Sequence, residues 1–247
     1  MPRIFNRIRK QLAIDNKFFQ YSRYAIGEIL LVVIGILIAL QVDNWNTEKQ
    51  ERRELKGYLS NIANNVTTDL EQLNEVLVYR DHSREGSRSY MALIEKDSLP
   101  ADEILSFFEK YGKHLAIYEI YFRPDMSGFE ALKNSGYLGK LQGSDIETEL
   151  YRYYSQIKEI QQQETSVNNF IEEMETDLFR DNVMQRLLPL IERKLSDPGD
   201  LSEIRGLLKH PSSTGVNLRN SHLATLFEDY RNLDVSGMRL LGLIQNY

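Results

Sequence analysis

The sequence predicts an all-α protein: an N-terminal transmembrane helix that continues into a stalk, with an extracytoplasmic antiparallel helical bundle. Three observations lead to this fold class. Residues 24–42 form a nearly unbroken apolar run. Apolar residues then recur at spacings of three and four along residues 55–77 and again along residues 146–178, which is the period of an amphipathic helix. The strand-like alternation of residues 118–122 has no second strand to pair with.

The apolar run has the length of a membrane span. Its centre, Ile29 to Leu40, is twelve residues without a polar side chain, and its flanks extend it to 19 residues. At 1.5 Å per residue this gives roughly 28 Å of helix, about the thickness of a bilayer's hydrocarbon core. The flanking aromatic residues suit the two membrane–water interfaces, and they are Tyr21, Tyr24 and Trp45. Length and flanks favour a span over a buried core helix.

One face of this span carries small residues and a single carboxyl. At about 100° per residue, five residues lie along one line, and they are Glu28, Val32, Gly35, Ala39 and Val42. Small residues let helices approach closely in lipid, so this stripe predicts helix–helix association in the membrane. Glu28 has two interpretations: it reaches back toward water and Arg23, or it bonds to a partner helix.

Charge predicts the orientation in the membrane. Six basic residues and one acidic residue precede Tyr24, a net charge of +5, which leaves −11 for the remainder. Basic flanks stay in the cytoplasm, so we expect a cytoplasmic N-terminus, a single pass through the inner membrane and a periplasmic C-terminal domain. No small-residue cleavage site follows the run, which favours an uncleaved signal anchor over a cleaved signal peptide.

The predicted domains follow from these boundaries. Residues 1–23 form a basic amphipathic cytoplasmic segment that suits an anionic leaflet, and its closeness to the bilayer argues against a nucleic-acid partner. Residues 24–45 are the transmembrane anchor, and residues 46–247 the periplasmic helical domain. A stalk helix of about residues 46–80 begins this domain, and its apolar stripe faces partner helices in the same chain or, as in an intermolecular coiled coil, in a neighbouring one. The spacing does not decide between the two, and we favour the same chain.

The remainder reads as further helices. Short helices are predicted over residues 84–95, 100–112 and 127–136, with residues 118–122 as an extended or helical linker that stops at Pro124. A second long helix, of about residues 145–180, matches the stalk in length, which favours antiparallel pairing of the two. A helix over 187–195, a turn over 197–200 and a loop over 212–215 follow. The last helix, of about residues 218–244, is weakened by Gly237 and Gly242.

Two blocks of residues resemble a known family. Tyr24-Ala25-Ile26-Gly27-Glu28-Ile29 with the apolar run that closes on Asn44-Trp45-Asn46 resembles the opening of an uncharacterised single-span family of Bacteroidota, the domain-of-unknown-function family 6090. Phe122-Arg123-Pro124, residues 129–136 and Leu150-Tyr151-Arg152-Tyr153-Tyr154 are similar to its middle. The resemblance implies a membrane-anchored helical protein of Bacteroidota and brings no catalytic residues with it.

Linear motifs of catalysis and metal binding are missing. There is no cysteine, and the sequence has no phosphate-binding glycine loop, nucleophile elbow or zinc-protease signature. No histidine lies three or four residues from another. The acidic run on residues 172–177 lacks the Glu-x-x-His motifs of a di-metal bundle and suits a solvated face. We therefore expect no cofactor, no metal and no enzymatic activity.

Aromatic residues form the remaining candidate site. Six of them could line a ligand pocket or a partner surface, or could instead be core packing, and they are Tyr118, Tyr121, Phe122, Tyr151, Tyr153 and Tyr154. The sequence thus favours a non-enzymatic assembly or scaffold subunit that meets the lipid bilayer and either forms a homo-oligomer or binds envelope proteins. The alternatives are a single-span sensor or small-ligand-binding module and, less favoured, a pore-forming oligomer.

Overall fold

A computed structural model describes residues 17–192, 194, 199 and 201–247, and the side chains of residues 17–21, 23 and 24 lie outside what it describes. These residues form helices and connecting segments without a strand. The helices are α1 (Lys17–Ile94), α2 (Ala101–Tyr111), α3 (Ser127–Ser135), α4 (Asp145–Arg180), α5 (Val183–Ile191), α6 (Leu201–Leu208), α7 (Pro211–Ser221) and α8 (Ala224–Gln245), with 3-10 turns at Gly112–His114 and Tyr137–Leu141. The predicted basic amphipathic segment falls largely on residues 1–16, outside the described residues.

Helix α1 contains one segment that is long and apolar enough to cross a membrane. Every residue from 26 to 50 is exposed, and the side chain of Leu31 is 74% exposed. Apolar side chains exposed all around a helix lack the protein partners that a core helix would have. A helix of this kind fits a membrane span or a signal anchor.

The chain divides into two compact units, Met1–Lys56 and Gly57–Tyr247. In the second unit, α1 from residue 57 onward packs with α4 and α8 around an apolar core. The stalk stripe contributes side chains that are at most 1% exposed, namely Leu59, Ile62, Val66 and Leu73. The same chain therefore buries this stripe, which is the alternative that we favoured.

The antiparallel pairing predicted for the two long helices is wrong. Asp69 on α1 contacts Tyr153 on α4, and Arg80, further along α1, lies beside Glu164, further along α4. The two helices therefore run in the same direction. Helix α8 runs against both, because Tyr230 contacts Glu164 while the later Gly237 lies against Tyr153 and Leu70.

The connection between α1 and α4 explains the parallel arrangement. Parallel neighbours need a crossover that returns the chain to the end where the first helix began. Residues 119–126, which we call the strap, belong to no helix or strand and provide this return; residues 120–125 run nearly extended, since they pass from Arg80 to Asp69 of α1, and Met126 already has helical angles. The strap passes α1 in reverse order, since Ile120 bonds to Arg80 and Asp125 bonds to Asp69. Comparable helix length alone could not reveal this crossover.

Several predicted boundaries change. Helix α1 runs to Ile94 without the break predicted after Arg80, since residues 81–83 contain neither glycine nor proline. Helix α4 begins and ends where predicted. Gly136 adopts φ 80° at the end of α3, the left-handed conformation typical of a helix terminator.

The C-terminal region differs most from expectation. The loop predicted over 212–215 is part of α7, which Pro211 begins and the His210 ring caps by accepting a hydrogen bond from the Ser212 N–H. Proline suits the first turn of a helix because its fixed φ is already helical. The last helix begins at Ala224 rather than near 218. The helix predicted over 187–195 appears earlier, as α5, and the turn predicted over 197–200 falls mostly outside the described residues.

Two glycines of α8 offer a matched test of its packing. A Cβ added at Gly237 would lie 2.8 Å from Leu70 Cδ2 and 3.1 Å from Tyr153 Cε2, whereas one at Gly242 would meet no atom within 4 Å. Gly242→Ala is expected to stabilise the protein by about 0.5–1 kcal/mol through helix propensity. Gly237→Ala is expected to destabilise it by about 1–3 kcal/mol through overpacking. Chemical denaturation followed by circular dichroism measures both, and equal effects would contradict this helix contact.

Candidate functional site

The predicted stripe of the anchor lies on the exposed part of α1. Glu28, Gly35 and Ala39 are exposed, as are the residues on the opposite face, and a Cβ at Gly35 would meet no atom within 4 Å. The stripe is therefore open to a partner helix or to lipid. Of the three predicted interface anchors, Trp45 is exposed with Lys49 Nζ 5.2 Å from its ring centroid. The side chains of Tyr21 and Tyr24 lie outside the described residues.

The predicted aromatic surface does not form as one surface. Its buried members belong to the core, and they are Phe122, Tyr153 and Tyr154, each at most 2% exposed. The other members are exposed, and they are Tyr118, Tyr121 and Tyr151. Alternating burial along the strap and helical periodicity along α4 separate neighbours in sequence onto opposite sides. A partner surface can include only the exposed members.

The structure instead brings polar side chains of two helices, α1 and α4, to the backbone of the strap. Ile120 exchanges two hydrogen bonds with the Asn168 amide, N–H to Oδ1 at 3.4 Å and Nδ2 to O at 2.9 Å. The Arg123 N–H donates to Gln72 Oε1 at 2.8 Å. An extended segment has no backbone partners of its own, so side chains must satisfy its buried groups. The strap is thereby fixed to both α1 and α4.

A carboxyl group of α1 holds one end of the strap. Asp69 is 2% exposed, its Oδ1 accepts from the Asp125 N–H at 2.8 Å, and its Oδ2 accepts from the Tyr153 hydroxyl at 3.3 Å. Burial raises the pKa of Asp69 to about 6, although these two hydrogen bonds lower it. Asn65 adds to this end, since its Nδ2 donates to Asp125 Oδ2 at 2.5 Å and its Oδ1 accepts from the Gly128 N–H at 3.2 Å.

A second carboxyl group holds the middle of the strap. Glu164 is 1% exposed, and its Oε1 and Oε2 accept from the Phe122 N–H at 3.1 and 3.0 Å. The Tyr230 hydroxyl of α8 donates to Oε1 at 2.5 Å. Arg80 Nη2 lies 3.9 Å from the same oxygen and donates to the Ile120 carbonyl at 2.8 Å. Burial raises the pKa of Glu164, opposed by Tyr230, the Phe122 N–H and Arg80.

A surface hollow adjoins the strap. It has a volume of about 360 Å³ and is lined by Tyr121, Phe122, Arg123, Gln161, Glu164 and Thr165. The Arg123 guanidinium lies 5.8 Å from the Tyr121 ring centroid. The hollow thus offers a cation, an aromatic ring and an amide to a small polar ligand.

Histidines that are distant in sequence meet other groups in the fold. The rings of His82 and His114 stack with centroids 5.3 Å apart, and His210 Nε2 lies 3.0 Å from Asp181 Oδ2. Burial, together with His82 and Lys113, lowers the pKa of His114. Within the described residues, no three histidine or carboxylate side chains gather as a metal site would require.

Sequence reasoning missed the residues that hold the strap. Asp69 follows the buried Val66 by three positions, and Glu164 lies between the buried Ile160 and Val167. Each therefore interrupts an apolar helical period with a charged residue at a core position. That interruption was the available signal, because a charge at a core position demands a buried partner.

Comparison with protein families gives one match. The model of a family of unknown function, DUF6090, matches residues 28–157. The matched region contains α1 from Glu28 onward, the strap and α4 as far as Ile157. Searches of curated proteins and of solved structures found no match.

Proposed function

The chain belongs to the family of unknown function DUF6090, and we propose that it is a single-pass inner-membrane protein whose helical domain serves as an assembly or scaffold subunit. The exposed apolar surface of residues 26–42 is the observation that carries this proposal. Hydrocarbon is the solvent in which such a surface is stable. The domain beyond it buries the apolar stripe of its first helix, whereas the apolar side chains of the anchor are exposed.

The proposed orientation places residues 46–247 in the periplasm. The net charge of +5 before Tyr24 supports a cytoplasmic N-terminus, since basic flanks resist translocation. Protease added to spheroplasts should digest the domain after Gly57 while intact cells protect it. Protection in spheroplasts would reverse the orientation and would leave the membrane anchor itself unchallenged.

A non-enzymatic role fits the buried polar groups. The carboxylate oxygens of Asp69 and Glu164 accept hydrogen bonds from strap N–H groups and from tyrosine hydroxyls. Carboxyls engaged in this way hold backbone in place and have little freedom to exchange protons with a substrate. The arrangement therefore supports a rigid domain that presents its surface to a second copy or to an envelope protein.

Association through the anchor has a matched pair of variants. Gly35→Leu is expected to weaken self-association in detergent about tenfold or more, because a leucine on the small-residue stripe keeps helices apart. Gly27→Leu makes the same change about 80° from Gly35 around the helix, where an added Cβ also meets no atom within 4 Å, and should leave association unchanged. Sedimentation analysis measures both. A wild-type chain that stays strictly monomeric would refute association through the anchor.

The hollow beside the strap favours a second candidate function, a small-ligand-binding module. Arg123 and Gln161 line it together with the exposed ring of Tyr121, which suits a small carboxylate or a sugar. Thermal-shift measurements on the full chain with a panel of small carboxylates and sugars test this. Saturable stabilisation that Gln161→Ala abolishes would support ligand binding, and no stabilisation across the panel would remove this candidate.

A further inference from the structure

The buried carboxyl of Asp69 on α1 lies at the Asp125 end of the strap, and it differs from Glu164 in its charge balance. Within the described part of the chain, its hydrogen bonds come from the Asp125 N–H and the Tyr153 hydroxyl, and no cationic side chain forms an ion pair with it. Glu164 differs, because Arg80 Nη2 lies 3.9 Å from it. An uncompensated buried carboxylate is costly, whereas its protonated form is not. The closed strap, which keeps Asp69 buried, is therefore more stable when Asp69 is protonated than when it is ionised.

We propose that the strap is a proton-responsive latch, in which protonation of Asp69 tightens the closure of residues 119–126 against α1 and ionisation loosens it. This inference concerns the behaviour of the domain and stands apart from the assembly role proposed above. The latch consists of a short extended segment and one buried acid, with a direct hydrogen bond between them.

The sign follows from the burial of the acid. With the strap closed, the pKa of Asp69 is raised from 3.8 to about 6. With the strap open, water returns that pKa toward its ordinary value. The closed state therefore binds the proton more tightly, and closure becomes more favourable as pH falls through about 6. Closure gains nothing further once pH is below the ordinary value, because both states are then protonated.

The surrounding groups support the same direction. Asp125 on the strap adds a negative charge that raises the pKa of Asp69, and Tyr153 on α4 partly opposes this by donating its hydroxyl proton. Tyr154 on α4 interacts electrostatically with Asp69, and its buried hydroxyl has no hydrogen-bond partner among the residues that the structure describes. The negative charge of Asp125 is therefore the neighbouring charge that favours protonation of Asp69.

The middle of the strap responds in the same sense. Glu164 faces Arg80 on α1, Tyr230 on α8 and the strap N–H of Phe122, and burial raises its pKa despite all three. The positive charge of Arg80 partly balances an ionised Glu164, whereas Asp69 has no such neighbour among the described residues. We therefore assign the larger part of the pH dependence of strap closure to Asp69 and a smaller part to Glu164. Tightening of the strap fixes Tyr121 and Arg123, which line the adjacent hollow.

Hydrogen exchange on the full chain in detergent tests the latch. Protection factors, corrected for the intrinsic pH dependence of exchange, are measured for a peptide covering residues 119–126 between pH 7.5 and pH 5.0. A shift of about two pKa units predicts roughly a tenfold rise in protection as pH falls. A peptide covering residues 59–73 reports global unfolding, which also releases Asp69, so the strap reports its own opening only if its protection factor stays below that of this peptide across the pH range.

Two variants identify the titrating group. Asp69→Asn is neutral at every pH and keeps an oxygen for the Asp125 N–H, so the strap should stay protected and lose most of its response to pH, with the contribution of Glu164 remaining. Asp81→Asn makes the same change at an exposed position of α1 and should keep the full response. Protection that stays flat or falls with decreasing pH in the wild-type chain overturns the proposal, as does an Asp69→Asn strap that responds like wild type. The wild-type profile decides the matter if Asp69→Asn does not fold.

Discussion

Replacing Arg80 with methionine is expected to lower the free energy of unfolding by about 3–5 kcal/mol. The Arg80 side chain is 1% exposed, donates to the Ile120 carbonyl and lies 3.9 Å from Glu164. Methionine fills similar volume but leaves Glu164 buried without a counter-charge and the Ile120 carbonyl with one donor fewer. Removal of one partner from a buried ion pair costs far more than the pair itself contributes.

Urea denaturation of the full chain in detergent, followed by circular dichroism, measures this loss. Arg88→Met serves as the control, because Arg88 lies on the same helix and is exposed, and it should change stability by less than about 0.5 kcal/mol. The double variant Arg80→Met/Glu164→Gln removes both charges and should recover most of the loss. If Arg80→Met alone costs less than about 1 kcal/mol, the buried pair does not hold the strap as described.

Apolar periodicity predicted where the long helices lie in the sequence and which of their faces are buried. It did not predict the relative direction of α1 and α4. Periodicity located α4 to its end residues and placed the stalk stripe in the core, because both depend on local spacing. The parallel course of α1 and α4 depends on the strap, a segment with no regular period. Likewise, the helix beginning at Pro211 resembles a loop by its serine and glycine content, and tertiary contacts override that composition.

The candidate site was harder to predict than the fold. Hydrogen bonds from the strap N–H groups to Asp69 and Glu164 join residues about 40 to 60 positions apart, and no spacing rule reports such contacts. The aromatic residues drew attention by their density, yet Tyr153 and Phe122 proved to be core. Charged residues at core positions of an amphipathic period were the better signal, since burial of a charge must be compensated by specific partners.

Replacing Phe122 with alanine is expected to destabilise the domain by about 3–5 kcal/mol and to release the strap. Phe122 is 1% exposed and is the most deeply buried side chain of the strap, and its N–H is bonded to both oxygens of Glu164. Alanine loses the transfer free energy of the ring and leaves a cavity behind it. The Glu164 carboxyl would then face water, so its pKa should fall toward the ordinary value.

Tyr121→Ala is the matched control, because Tyr121 is the preceding residue and is 37% exposed. We expect it to cost less than about 1 kcal/mol and to leave the amides of Ile120 and Phe122 protected from hydrogen exchange. Phe122→Ala should instead expose those amides before α1 and α4 unfold, because the strap has no helical hydrogen bonds of its own. If exchange at the strap and at α4 accelerated equally, the strap would be an inseparable part of the core, and a latch that opens by itself would be ruled out.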